Sequence, residues 1–125
     1  MQAGIDFNLD DDRQILQINS PKSVVGGPYK VIYKSIPDRW AMVAFDWDNK
    51  PRLGIRWFWD AVGSPSSHSN ATWFIIPSEL QNAILNSLPL DFQFRDRLNE
   101  FLSGRMDGEM LSEHRNTLLA IENTD

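Results

Sequence analysis

Two adjacent runs of aromatic and branched residues constrain the fold of this chain more than any other feature. The first run spans Trp40 to Trp47, the second spans Arg52 to Trp59, and Asp48-Asn49-Lys50-Pro51 lies between them. Aromatic and branched residues favour the pleated surface of a β-strand, whereas Asp, Asn and Pro favour turns. The pattern therefore predicts a tryptophan-rich β-hairpin at the centre of the chain.

The second run has two different faces, because successive side chains of a strand point in opposite directions. One face, which we predict to be core, carries Leu53, Ile55, Trp57 and Trp59. The other face carries Arg52, Gly54, Arg56 and Phe58. Cations beside aromatic rings suit single-stranded nucleic acid, since bases stack on rings while cations meet phosphates. The alternative is structural, with tryptophans filling the core and arginines solvated or stacked on them.

Four further strands are predicted around the hairpin, and helices are predicted after it. Alternating apolar residues predict a strand at Ile5, Phe7 and Leu9, and further strands at 14–19 and 29–34. The intervening loop contains Gly26-Gly27-Pro28, which reads as a turn. After the hairpin we predict a polar loop at 63–70 and a short strand at 72–76.

The helical prediction for the C-terminal part depends on capping residues. Ser78 and Gln81 have the spacing of a capping box that begins a helix, with its apolar face at Leu80, Ile84 and Leu88. Asp91 caps a second helix, whose apolar side carries Phe94, Leu98, Phe101 and Leu102 and which ends at Gly104. A third helix is predicted from about 107 to 122.

Strands followed by helices predict an α+β fold: a curved, mainly antiparallel sheet of four to six strands, then two or three C-terminal helices. The length of 125 residues fits one domain, 1–125. Within it we expect an N-terminal hairpin and loop at 1–28, a sheet-and-helix core at 29–88 and a helical extension at 89–125.

Composition excludes several classes of function. The chain has no cysteine, which rules out disulfides, thiolate metal sites and a cysteine nucleophile. Its net charge of −5 argues against a protein that coats duplex nucleic acid, although a local basic stripe remains open. With no signal peptide and no bilayer-spanning apolar run in this sequence, a cytoplasmic location is expected.

Around the hairpin turn the sequence Trp47-Asp48-Asn49-Lys50-Pro51-Arg52-Leu53-Gly54-Ile55-Arg56-Trp57 resembles the positive-cofactor-four family of transcriptional coactivators, which includes bacterial single-stranded-DNA-binding members. The resemblance covers residues 29–88. It implies a curved four-stranded sheet, a helix used in dimerisation and a sheet face that binds unpaired strands. Gly54 and Thr72-Trp73 depart from the family pattern, which usually has an acid and a Lys-Gly pair there.

The sequence supports an enzyme less well than a binding module. His68 lies among serines, Asp46, Asp48 and Asp60 flank the hairpin, and His114 has no second ligand at helical spacing. None of these reaches a catalytic or metal-site pattern, because the partners of such a site must converge in space. We expect no catalytic residue, metal or cofactor; a small enzyme remains open only if a pocket gathers His68 or His114 with acids.

The leading prediction is a non-enzymatic module that binds single-stranded DNA or RNA, forms a homodimer and does not bind a membrane. Its predicted nucleic-acid-binding residues are Trp47, Lys50, Arg52, Arg56, Lys30 and Lys34. The alternative is an acidic protein-interaction protein of the immunity, antitoxin or phage-inhibitor type, with a pI near 4.9. The discriminating observation is whether Lys50, Arg52 and Arg56 gather on one face, or are scattered or paired with Asp46, Asp48 and Asp60.

Overall fold

The computed structural model describes residues 9–59, 63–67 and 70–114. In chain order its helices and strands are α1 (Asp12–Leu16), β1 (Val25–Ser35), β2 (Trp40–Trp47), β3 (Lys50–Trp57), β4 (Ser66–Ser67), β5 (Asn70–Ala71), β6 (Phe74–Ile75), a 3₁₀ turn (Ser78–Leu80), α2 (Gln81–Ser87), α3 (Phe92–Leu102) and α4 (Gly108–Ser112). Strands precede helices over most of the chain, and the predicted α+β class is confirmed.

The main sheet is antiparallel and has the order β1-β2-β3-β6, and β4 and β5 form a separate two-stranded sheet. The predicted central hairpin is confirmed, with Trp47 opposite Lys50. Only Asp48 and Asn49 form its turn, and their φ angles of 54° and 66° are both positive. Positive φ at both central residues defines the type I′ turn, whose twist matches that of the flanking strands.

Both faces of the sheet are covered, which the sequence did not indicate. In β2 the run from Ala41 to Phe45 is buried without interruption, as expected for a strand enclosed on both sides. One face packs on the C-terminal helices through a cluster that includes Met42, Leu53, Leu98 and Phe101. The other face packs around Phe45, Trp73, Phe58 and the Ile15 side chain of α1.

The N-terminal prediction was wrong at two places. Residues 14–19 were predicted as a strand, but α1 occupies Asp12–Leu16, and the Asp11 side chain caps it by accepting from the Arg13 backbone N–H at 3.0 Å. Gly26-Gly27-Pro28 is not a turn between elements but part of β1, at an irregularity in its pairing with β2. The strand predicted at Ile5 and Phe7 lies outside the described residues.

Capping distinguishes the correct from the incorrect helix predictions. Asp91 caps α3 by accepting from the Gln93 backbone N–H at 2.8 Å, as predicted. The capping box at Ser78 was wrong: a 3₁₀ turn precedes α2, and neither has a side-chain cap. Leu80, predicted on the apolar face, is 50% exposed. α4 ends at Ser112, short of the predicted 122, and positions 115–122 lie outside the described residues.

None of the helices in the described ranges combines the length and apolar character needed to cross a bilayer.

Candidate binding surfaces

The residues predicted to bind nucleic acid do not form one surface. Trp47, Lys50 and Arg52 lie together at the turn end of the hairpin, where Lys50 is opposite Trp47 and Arg52 is opposite Phe45. Directly opposite residues of an antiparallel pair project from the same face, so these side chains share one side of the sheet. Lys50 is exposed and Trp47 and Arg52 are half-buried, with Arg52 Nη1 donating to the Pro51 carbonyl at 2.9 Å.

The two lysines of β1 are held by distant parts of the chain. Lys30 Nζ donates to the His114 carbonyl at 2.7 Å, beyond α4. Lys34 Nζ donates to the Leu9 carbonyl at 2.9 Å and lies 2.8 Å from an Asp12 carboxylate oxygen. Each ammonium therefore attaches a neighbouring segment to the sheet, and the two lysines do not extend the group at the hairpin turn.

Arg56 lies in the interior, which corrects its assignment to a binding face. Its side chain is fully buried, and Nη1 donates to the carbonyls of Pro65 at 3.0 Å and Thr72 at 2.6 Å. The guanidinium carbon lies 5.0 Å from the centre of the Phe58 ring. Burial lowers the pKa of Arg56 to about 10, so the side chain remains charged near neutral pH. These two hydrogen bonds hold the segment that carries β4 and β5 against β3.

The assignment of the opposite face as core was correct only in part. Leu53 is fully buried, but Ile55 and Trp57 are half-buried and Trp59 is 50% exposed. Phe58, predicted on the same side as the arginines, is buried. The hairpin therefore buries part of its candidate binding face and exposes part of its predicted core.

An aromatic patch that the sequence reasoning missed lies at the end of the hairpin away from its turn. We define the aromatic patch as Trp40, Trp57, Trp59 and Phe74. Trp40 and Trp57 are opposite each other in β2 and β3. The Trp57 ring lies 5.5 Å from the Trp59 ring and 6.3 Å from the Phe74 ring, centroid to centroid. Phe74 is 47% exposed, so the rings form a contiguous and partly open surface.

A groove of about 500 Å³ lies within this region. Its lining residues are Pro37, Asp38, Arg39, Trp40, Trp57 and Trp59. Ile36, next to the groove in sequence, is 47% exposed. The Arg39 Nε donates to the Phe58 carbonyl at 2.9 Å, which attaches the β1–β2 turn to the end of β3. Half of the described lining residues are therefore tryptophans, and Asp38 and Arg39 are charged.

A second cleft, of about 380 Å³, lies between the sheet and α4 and is bordered by Asp46, Asp107 and Glu109. The Tyr29 hydroxyl donates to Asp46 at 2.7 Å at its wall. Burial, together with this hydrogen bond and the surrounding carboxylates, raises the pKa of Tyr29 to about 12. The phenol is therefore uncharged at neutral pH. Its hydrogen bond to Asp46 joins β1 to β2.

The enzymatic candidates do not assemble in the described part of the chain. His114 stacks on Phe94 with ring centroids 5.2 Å apart, and it lines neither of the two cavities above. Asp46 is hydrogen-bonded to Tyr29, and Asp48 forms the hairpin turn. Among the described residues no cluster of three His, Asp or Glu side chains is arranged to hold a metal ion. His68 and Asp60 lie outside the described residues.

Comparison of the chain with protein-family models, with curated proteins and with solved structures found no match.

Proposed function

We propose that this chain is a non-enzymatic protein-interaction module that binds its partner through the aromatic patch. The observation that supports this most directly is the exposure of Trp59 and Phe74, at 50% and 47%, in contact with the Trp57 ring. Aromatic residues are enriched at protein interfaces, where they supply much of the binding energy. Contiguous apolar patches exposed on the surface of a soluble domain are a known feature of protein-interaction sites.

The distribution of the cations supports the same proposal. Of the residues predicted to contact phosphate, Arg56 is buried and Lys30 and Lys34 are engaged with backbone carbonyls. A net charge of −5 further weakens any attraction for a polyanion. The burial of Arg56 and the engagement of Lys30 and Lys34 leave only Lys50 and Arg52 together at the hairpin turn, which favours the protein-interaction alternative over an extended basic, strand-binding face.

Single-strand binding is the second candidate, and the group Trp47, Lys50 and Arg52 at the hairpin turn favours it. A half-buried indole beside an exposed ammonium can stack a base and contact a phosphate. This group also lies within the segment that resembles the positive-cofactor-four family. It is small, however, and phosphate binding scales with the number of cations that act together.

The test of the protein-interaction proposal compares two variants of exposed aromatic residues. Trp59→Ser removes a ring of the patch, whereas Phe92→Ser removes a ring on α3 that is 73% exposed and lies outside the patch and its groove. Self-association and capture of proteins from a lysate of the source organism are measured for both, and captured proteins are purified and retested as binary complexes. We expect Trp59→Ser to weaken an association at least 10-fold and Phe92→Ser to leave it unchanged.

Failure of Trp59→Ser to alter any protein association would refute the proposal. Fluorescence anisotropy with a labelled single-stranded oligonucleotide at low salt tests the second candidate. Salt-dependent binding that Lys50→Ala and Arg52→Ala weaken, and that Trp59→Ser does not, would assign the function to the hairpin turn instead.

A further inference from the structure

No further inference is drawn: the strongest candidate, the cleft of about 380 Å³ between the sheet and α4, is a cluster of three acids in which Asp46 already accepts from the Tyr29 hydroxyl and Asp107 already caps α4, and nothing in the described residues points to a ligand that would occupy it.

Discussion

Replacing Arg56 by methionine separates a structural from a ligand-binding role for this side chain. The guanidinium donates to the carbonyls of Pro65 and Thr72, one before β4 and one after β5. Methionine keeps much of the apolar length but cannot donate, so both carbonyls lose a charged partner. We expect the segment that carries β4 and β5 to be held less firmly against the sheet.

The size of the effect follows from two opposing contributions. Hydrogen bonds to a charged group are worth about 1.5–3 kcal/mol each, so losing two costs about 3–6 kcal/mol. Burial lowers the pKa of Arg56 from 12.5 to about 10, and the desolvation behind this shift, which methionine avoids, offsets part of that cost. The loss of attraction to the Phe58 ring, at 5.0 Å, adds to the cost. Arg56→Met should therefore destabilise the fold by about 1–3 kcal/mol.

Urea unfolding followed by tryptophan fluorescence measures this change, and Arg97→Met on the exposed side of α3 is the matched control. The control should stay within about 0.5 kcal/mol of wild type, as surface substitutions usually do. Hydrogen exchange provides a local readout, because the Thr72 N–H donates to the Pro65 carbonyl at 3.1 Å and should exchange faster in Arg56→Met. Equal stability of the two variants would refute the reasoning, and weaker oligonucleotide binding at unchanged stability would return Arg56 to a binding role.

Three shorter predictions test other parts of the fold. A Cβ on Gly108 would collide with the Tyr29 ring, so Gly108→Ala should lower the free energy of unfolding by about 1–3 kcal/mol, as measured by urea titration. If Gly108→Ala costs as much when Tyr29 is also replaced by leucine, the collision is not the cause. Asn49 has a φ of 66° in a type I′ turn, so Asn49→Gly should raise the midpoint of thermal unfolding; a lower midpoint would contradict the turn assignment. Burial lowers the pKa of His114 below its usual 6.5, so the unfolded chain takes up the proton first on acidification. Stability should therefore be lost as the pH falls through 6.5 towards the folded-state pKa, and His114→Phe should lose less than wild type between pH 7.5 and 5.5.

The hairpin was predictable because its information is local. Strand-forming residues on both sides of a short turn determine the pairing, and the turn position determines which residues are opposite each other. Trp40 and Trp57 are equally far from the centre of the Asp48-Asn49 turn, so their pairing was present in the sequence. Following that register to the far end of the hairpin would have revealed the beginning of the aromatic patch.

Exposure was not predictable in the same way, because alternation shows which side chains share a face but not what covers it. Arg56 is buried because the distant carbonyls of Pro65 and Thr72 reach it and satisfy its donors. In β2 both faces are covered, so alternation carried no contrast between inside and outside. At the N-terminus, Ile15 and Leu16 suited a strand, but the Asp11 cap favoured a helix.

The covering of both faces also explains where binding can occur on this fold. A four-stranded sheet with one open face could present cations and rings in the middle of its strands, as the sequence had suggested. Here Arg56 is buried on one covered face, and Lys30 and Lys34 hold flanking segments to the sheet. Among the candidate binding residues in the described part of the chain, those that remain open lie at the two ends of the hairpin: a small basic group at its turn and the aromatic patch at its other end. Because buried aromatic area contributes more to specific binding than a few screened surface charges, the aromatic end is the stronger candidate.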